Sequence, residues 1–373
     1  LGCSRVSPGC EHCLAPDTLI LNENLIWTPV GAARIGDRLL AFDEANRLRH
    51  PRAFRAAVIE AIWPSRVPTV RLITTHAEIL TTASHRWLTD NSNRWAATWS
   101  ANPTHGLRVG ASTLRSISVT VSPSVTMDYR IGYLAGMTLG DGTFRYQLGQ
   151  RSDKLGFPQA YWRVALKQSD EIALGRLVAY LAALGLSTAI RPFDSGHSSS
   201  NYEPMTKVEI RALVPLARLH SLLTQPLETL EYQRGFLAGF FDAEGSGNDN
   251  LRVSQKSDEP LLRFQSYAAR FGFWFELENS TPGRARTARL RGTLLDRLRF
   301  LSVCQPALIR KAGFHGLRMQ QQAEPIIAIE PGPIADVLDI QTSTGTFYAA
   351  GFATHNCYAE RTSHRLGSGV VNM

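Results

Sequence analysis

Two stretches of the sequence, DYRIGYLAGMTLGDG at 128–142 and EYQRGFLAGFFDAEG at 231–245, are near-copies of each other. Each contains glycines four residues apart, a spacing that places them on one face of a helix. These glycines are Gly132, Gly136, Gly140, Gly235 and Gly239. A duplication explains the repeat. The glycine faces predict two helices that pack closely against each other.

Similar segments follow each copy in the same order. Apolar residues alternate in some segments and recur at helical spacing in others, and the first of the following helices has Ser169 or Asp170 as its cap. Each repeat is therefore predicted as helix, two strands, helix, two strands, helix (αββαββα). The repeats span 128–230 and 231–322 within an α+β domain over 126–322.

The sequence on both sides of this domain has a different character. Short β-type runs broken by turn residues fill 13–125 and return over 323–356. The simplest architecture is multi-domain: an all-β domain, built from both flanks, that the α+β domain interrupts.

The bulk composition agrees with a globular protein that binds a polyanion. Of the residues, 44% are hydrophobic and 19% charged, and the formal net charge is +8. No apolar run approaches the roughly 20 residues that span a bilayer, so no membrane partner is expected. The odd number of cysteines, five, favours a reducing compartment, and we expect a soluble, cytoplasmic protein.

The nonapeptides LAGMTLGDG at 134–142 and LAGFFDAEG at 237–245 resemble the LAGLIDADG motif of homing endonucleases. The resemblance implies that the two repeats form a pseudo-dimer which cuts double-stranded DNA. Each motif helix ends in an acid, Asp141 or Glu244. Two carboxylates at helix C-termini repel each other, so we expect Mg²⁺ to be bound by this pair and to assist phosphodiester cleavage.

The family also places a basic residue near each active site. Lys311 fits this role in the second repeat, whereas the first repeat has Glu228 and Glu231 in the corresponding stretch. Lys167 and Lys256 are an alternative basic pair at matching positions.

DNA contacts are expected from the strands, because a β-ribbon fits the major groove and its alternate side chains can reach bases or phosphates. The candidates are Arg163, Lys167, Arg191, Lys207 and Arg211 in the first repeat, and Arg252, Gln255, Lys256, Arg284, Arg286, Arg289 and Arg291 in the second.

The flanking β-type sequence resembles the self-splicing (Hint-type) domain of inteins, which has a horseshoe-like all-β fold. Four pieces carry the resemblance, in the expected order. They are CLAPDTLI from Cys13, the GAARIGDRLLAFDE stretch that follows it, the Thr-x-x-His element at Thr82 and His85, and the closing VLDIQTSTGTFYAAGFATHN-C, which contains Asp339, Phe347, His355, Asn356 and Cys357. The resemblance implies that 13–125 and 323–356 form the splicing domain, with host-protein (extein) segments at 1–12 and 357–373.

The resemblance also implies a role for each residue. Cys13 converts its upstream peptide bond into a thioester while Thr82 and His85 hold and protonate the departing nitrogen. Cys357 then takes over the acyl group with assistance from Asp339. Asn356 cyclises with help from His355 and releases the insert. No cofactor is expected for splicing.

One departure from the family pattern lies in the closing strands. Many members carry a second histidine there, where this sequence has Ser343-Thr344-Gly345-Thr346. Either a hydroxyl or water substitutes, or Asn356 cyclisation is slow. Joining the host segments would also place Cys3, Cys10 and Cys357 in a Cys-x6-Cys-x2-Cys array, which could ligate an iron–sulfur centre.

The sequence thus predicts a monomeric, bifunctional intein. Its substrates are its own extein segments and the double-stranded DNA of the host site that lacks the insert. The alternative is a splicing-active intein whose LAGLIDADG domain binds DNA without cutting it.

Overall fold

The structure is a computed structural model that describes residues 13–44, 52–90, 94–117, 124–145, 160–193, 203–224, 227, 229–247, 250–278 and 283–355. The chain divides into two compact units. The β unit comprises Leu1–Glu23, Trp27–Ile117 and Gln321–Met373, and the α+β unit comprises Asn24–Ile26 and Ser118–Gln320.

The elements up to the end of the first repeat are, in chain order, β1 (Leu19–Leu21), β2 (Trp27–Pro29), β3 (Arg38–Phe42), β4 (Phe54–Thr74), β5 (Glu78–Thr81), β6 (Arg86–Leu88), β7 (Trp95–Ala97), β8 (Thr113–Ser116), α1 (Met127–Gly140), β9 (Gly142–Arg145), β10 (Tyr161–Lys167), α2 (Glu171–Ala183), β11 (Ala189–Phe193), β12 (Met205–Ile210) and α3 (Leu213–Thr224). The second repeat and the end of the chain contribute α4 (Leu230–Glu244), β13 (Gly245–Ser246), β14 (Arg252–Gln255), α5 (Asp258–Arg270), β15 (Phe275–Leu277), β16 (Arg286–Leu290), α6 (Leu294–Cys304), β17 (Gln322–Thr342), β18 (Thr346–Ala349) and β19 (Phe352–His355).

The β unit is organised by two long antiparallel strands, β4 and β17. They pair from Ile326 opposite Thr74 to Thr342 opposite Ile59, with three register shifts. The sequence pattern indicated only the part of β4 around TVRLITT at 69–75. Prolines break the pattern, because a residue without an N–H interrupts a ladder. The strand nevertheless continues through Pro64 and Pro68, and the pairing becomes irregular after Pro331.

The start of the described chain joins this strand pair. Leu14 and Leu338 exchange both backbone hydrogen bonds, at 3.0 and 2.8 Å, and Leu14 also bridges to Thr81. Leu14 belongs to the hydrophobic core of the unit together with Trp87 and Phe347. The N-terminal segment and the closing strands are therefore parts of one packed core.

The α+β unit contains two four-stranded sheets, ordered β11-β12-β10-β9 and β13-β14-β16-β15. Equivalent threonines, Thr126 and Thr229, cap α1 and α4, and each side chain accepts the backbone N–H three residues on at 3.2 Å. The elements follow the order helix, two strands, helix, two strands, helix in each repeat. No helix in the described part of the chain has the length and apolarity that a membrane crossing requires.

Helices α1 and α4 touch backbone to backbone through their glycines. A Cβ built on Gly235 would lie 2.0 Å from the carbonyl oxygen of Tyr129, and one on Gly239 would lie 2.1 Å from that of Tyr133. Gly132 meets the carbonyl oxygen of Tyr232 at 2.0 Å in the same way. The predicted glycine faces are thus the contact surface between the two helices.

We expect Gly239→Ala to destabilise the α+β unit by about 2 kcal/mol or more, because the new methyl group forces the two helix backbones apart. Gly175→Ala is the matched control, since Gly175 lies inside α2 with no heavy atom within 4 Å of its built Cβ. It should raise the stability by about 0.5–1 kcal/mol through the helix propensity of alanine. Urea unfolding of the full chain measures both. Equal effects from the two variants would contradict the close helix contact.

Candidate functional site

The backbone of Cys13 is held from both sides by the Thr81–Thr82 segment. The Cys13 N–H donates to Thr82 Oγ1 at 3.0 Å. The Cys13 carbonyl accepts from the Thr82 N–H at 3.2 Å and from the Thr81 hydroxyl at 2.8 Å. The thiol is buried, and Sγ lies 3.8 Å from Ser65 Oγ. The amide nitrogen of Cys13 therefore has the hydroxyl of the predicted threonine as its partner.

His85 connects this segment to the last strand of the unit. Its backbone N–H donates to the Thr82 carbonyl at 3.2 Å, and its ring nitrogen Nε2 lies 2.5 Å from Thr354 Oγ1. The ring is fully buried and packs against Trp87 with centroids 4.5 Å apart. Since Thr354 immediately precedes His355, the structure brings the predicted residues of both ends of the β unit together.

His355 itself is 2% exposed and has partners that the sequence pattern did not indicate. Its Nε2 lies 3.0 Å from Glu44 Oε1, and its ring meets Trp95 edge-on at 4.8 Å. Asp339 is buried on β17 directly after Leu338, the residue that pairs with Leu14. Asn356 and Cys357 lie outside the described residues, as do Cys3, Cys10 and Glu228.

The two acids of the α+β unit lie close together at the C-terminal ends of α1 and α4. Asp141 follows the last residue of α1, and Glu244 is the last residue of α4. A Cβ built on Gly140 would be 3.6 Å from Glu244 Oε1. Burial raises the pKa of Asp141. Burial and the charge of Asp141 raise the pKa of Glu244.

Lys311 supplies a positive charge beside this pair. Its ammonium donates to the backbone carbonyls of Asp242 and Ala243, the latter at 3.0 Å. Burial lowers the pKa of Lys311, whereas the charge of Asp141 opposes this shift. The neighbouring Arg310 pairs instead with Asp170, so Asp170 at the N-cap of α2 binds a guanidinium rather than the helix backbone.

The oxygen donors at the two helix ends fit a hard divalent cation. Two adjacent, partly buried carboxylates whose pKa values are raised are a locus where a cation would relieve repulsion. Asp141 and Glu244 would hold it. Within the described ranges, no group of three or more histidine, cysteine or acidic side chains has metal-binding geometry.

The first sheet gathers its predicted DNA-binding cations on the face opposite its buried apolar side chains. Arg163 on β10 lies directly opposite Glu209 on β12, and Arg191 on β11 lies directly opposite Lys207 on β12. The Glu209 side chain is 1% exposed, and its oxygens lie 3.2–3.3 Å from nitrogens of Arg191, Lys207 and Arg211. Sequence reasoning missed this acid, which fixes three cations on one surface. Lys167 pairs with Glu203 at 3.2 Å.

The second sheet separates its candidates onto two faces. Arg252 and Arg289 lie directly opposite each other on the outer face, whereas Gln255 and Arg286 share the alternate face with buried side chains. Gln255 Nε2 donates to Glu244 Oε1 at 2.8 Å, which makes it part of the acid site.

Acidic partners accompany most of these arginines. Arg286 pairs with Asp258, Arg289 with Glu278 and Arg291 with Glu276. Lys256 and Arg284 are exposed.

Residues 231–302 match the family model described as a LAGLIDADG-like domain. The second repeat is LAGLIDADG-like. No curated protein matches the chain.

Among solved structures, mesophilic variants of the homing endonuclease I-DmoI are 16% identical, with 48% of this chain and 97% of that chain covered and a TM-score of 0.39. I-DmoI in complex with DNA and Ca is 17% identical, with coverages of 47% and 87% and a TM-score of 0.38. Full-length DUF199/WhiA from Thermatoga maritima is 13% identical, with coverages of 48% and 57% and a TM-score of 0.35.

One buried acid of the LAGLIDADG-like repeat holds the Lys311 segment in place. Asp242 is fully buried, and burial raises its pKa. Its carboxylate accepts the backbone N–H groups of Ala307 and Leu308 and the Tyr133 hydroxyl, each at 2.7 Å. The first motif has Leu139 at the equivalent position. That difference between the two motifs is the signal from which this role could have been found.

We expect Asp242→Asn to destabilise the α+β unit by about 2–4 kcal/mol, because an amide nitrogen would then face buried N–H donors. Asp258→Asn is the control. Asp258 forms an exposed pair with Arg286, and its loss should cost less than about 1 kcal/mol. Calorimetry of the full chain measures both, and a similar small effect from Asp242→Asn would exclude the anchoring role.

Proposed function

We propose that the chain is an intein precursor: a protein-splicing element from Cys13 to Asn356 that carries a metal-dependent DNA endonuclease. The observation that carries the splicing proposal is the convergence of the two ends of the β unit. Leu14 and Leu338 exchange backbone hydrogen bonds, and His85 links the Thr82 segment to Thr354.

The contacts at Cys13 support the first step of splicing. In that step the Cys13 sulfur bonds to the carbonyl carbon of His12, the peptide C–N bond breaks, and a proton passes to the Cys13 nitrogen. That nitrogen already donates to Thr82 Oγ1 at 3.0 Å. Fixing the amide in this way orients the carbonyl for attack, and His85 is the proposed proton source.

The later steps join the host segments. The Cys357 sulfur attacks the thioester carbonyl and displaces the Cys13 thiol. The Asn356 side-chain nitrogen then bonds to the Asn356 carbonyl carbon, the bond to Cys357 breaks, and the Cys357 nitrogen takes a proton. A shift of the acyl group from sulfur to nitrogen completes the new peptide bond. The proposed assisting residues, Asp339 and His355, are both buried in the β unit.

For the α+β unit we propose cleavage of double-stranded DNA by the LAGLIDADG-like domain. The adjacent, pKa-raised carboxylates of Asp141 and Glu244 support Mg²⁺ binding. When bound, Mg²⁺ polarises a phosphate oxygen and lowers the pKa of a bound water. The cations on the outer faces of the two sheets would neutralise DNA phosphates, and we propose that the protein acts as a monomer.

A second candidate, DNA binding without cutting, is favoured by the asymmetry of the two repeats. Lys311 stands six residues after Gln305, in a segment that begins Gln-Pro, and Glu231 stands six residues after Gln225 in the matching segment. Glu231 binds the buried Arg234. Of the two matching positions, one therefore places a lysine beside Asp141 and Glu244, and the other has a glutamate in place of a second lysine.

Expression of the full chain in reducing buffer should yield two products by intact mass spectrometry: the excised segment 13–356, and residues 1–12 joined to 357–373. Cys13→Ala should abolish the joined product, because no thioester forms. Cys304→Ala is the matched control, since Cys304 is the other buried free thiol of the described chain, and it should splice normally. Persistence of the folded full-length wild-type chain would refute the splicing proposal.

Glu244→Gln should raise the thermal stability of the Mg²⁺-free protein at neutral pH. The pKa of Glu244 is raised in the folded state, so the folded protein holds more protons than the unfolded chain between the ordinary and the raised value. Stability is lost as pH rises through that window. The gain from the substitution should therefore vanish below the ordinary pKa of glutamate.

Mg²⁺ should stabilise the wild type and leave Glu244→Gln unchanged, because binding to the folded state shifts the unfolding equilibrium. Glu259→Gln, which changes an exposed partner of Arg263, should behave as wild type. On a plasmid that carries the uninterrupted host coding sequence, wild type should cut and Glu244→Gln should not. Mg²⁺-dependent stabilisation without cutting would support the DNA-binding alternative. Cutting by Glu244→Gln at the wild-type rate would exclude the acid site.

A further inference from the structure

Glu44 lies beside His355, the residue proposed to assist the cleavage between Asn356 and Cys357. Its Oε1 lies 3.0 Å from His355 Nε2, and the two residues are 311 positions apart in the sequence. The His355 side chain is 3% exposed and that of Glu44 31%. Trp95 closes one side of the imidazole with an edge-on contact at 4.8 Å. The imidazole is therefore held in a narrow site with a carboxylate at one nitrogen.

The hydroxyl groups in the closing strands, where many inteins have a second histidine, are engaged elsewhere. Thr346 lies opposite His355 across the β18–β19 pair. Its hydroxyl accepts from the Phe42 N–H at 3.2 Å and donates to the Phe42 carbonyl. Ser343 Oγ accepts from the Val58 N–H at 3.0 Å, and the Thr344 hydroxyl donates to the Thr346 carbonyl at 3.1 Å. These hydroxyls fix backbone, so the expectation that one of them replaces the histidine is not supported.

The same contacts position Glu44. Phe42 is tied to Thr346, and Glu44 lies two residues further along the chain. Its carbonyl accepts from Arg52 Nε at 3.1 Å, and the Arg52 guanidinium lies over the Trp95 ring, 5.7 Å from its centroid. The Glu44 backbone and the Trp95 ring are thus held by one arginine, with His355 against both Glu44 and Trp95.

We infer that Glu44 is a positioning residue for His355 and takes over the supporting role for which many inteins use a second histidine. The inference rests on the proposed splicing function. A carboxylate at Nε2 accepts a hydrogen bond from that nitrogen and so fixes the tautomer and the orientation of the ring. Nδ1 then takes up the proton that the Asn356 side-chain nitrogen loses as it bonds to the backbone carbonyl carbon. The same nitrogen returns this proton to the Cys357 nitrogen as the Asn356–Cys357 bond breaks.

The test separates the two cleavages in the full chain. In a Cys13→Ala background only Asn356 cyclisation can occur, and release of residues 357–373 measures its rate. Glu44→Ala should slow this release by about tenfold or more, since a positioned acid–base group contributes about a hundredfold or more. Glu44→Asp should recover part of the rate. Glu78→Ala, which changes an exposed partner of Arg71, should have no effect.

The rate of the N-terminal cleavage is the control for folding, because a variant that misfolds would slow this cleavage as well. In an Asn356→Ala background, dithiothreitol cleaves the Cys13 thioester, and Glu44→Ala should leave this rate within about twofold, because the inferred role of Glu44 is to position His355 for the C-terminal cleavage. Unchanged release of 357–373 by Glu44→Ala would overturn the inference and leave the splicing proposal intact. Equal loss of both cleavages would also overturn it. A wild-type chain that cleaves at neither junction would remove the proposed function and the inference together.

Discussion

The antiparallel pairing of β4 with β17 is the constraint on which the β unit depends. These strands lie at opposite ends of the inserted α+β sequence, yet they share a ladder from Thr74 opposite Ile326 to Ile59 opposite Thr342. Apolar side chains, including those of Leu14 and Phe347, are buried against this pair. The free energy of this burial offsets the entropy lost when the long chain segment between β4 and β17 is closed into a loop. Because the core is shared, the segment at Cys13 and the last strand cannot fold independently of each other.

A different constraint governs the α+β unit. Helices α1 and α4 approach so closely that a side chain at Gly132, Gly136, Gly235 or Gly239 would collide with the backbone of the other helix. This contact brings their C-terminal ends together, and with them the carboxylates of Asp141 and Glu244. Burial is the main cause of the raised pKa of each acid, and the charge of Asp141 further raises the pKa of Glu244. Like charges at helix C-termini oppose the helix dipole and cost stability, and the proposed binding of a cation would relieve that cost.

The sequence predicted local structure well where periodicity is strong. The helix predicted behind Ser169 or Asp170 is α2, and the glycine faces form the contact between α1 and α4. The lengths of β4 and β17 were missed, because prolines lack a ladder donor and yet occur within both strands. Sequence patterns report neighbours a few residues apart, and the register shifts that accommodate Pro331 depend on tertiary pairing.

The site residues divide in the same way. Thr82 and His85 are three residues apart in one short motif, so a sequence pattern is enough to propose them as a pair. Glu44 and Asp242 act through partners more than sixty positions away, at His355 and at Ala307, and a single sequence does not report contacts of that separation. The contact of Gln255, a DNA-binding candidate, with Glu244 was not predicted, because it depends on the strand alternation that turns Gln255 to the opposite face from Arg252.

The proximity of the two junctions is tested most directly by N-terminal sequencing of the Asn356→Ala chain purified in reducing buffer. With cyclisation blocked, the acyl group should move from Cys13 to Cys357 and produce a branched molecule. The account predicts two N-terminal residues in comparable amounts, Leu1 and Cys13. A single N-terminus at Leu1, in a chain whose Cys13 thioester is still cleaved by dithiothreitol, would contradict it.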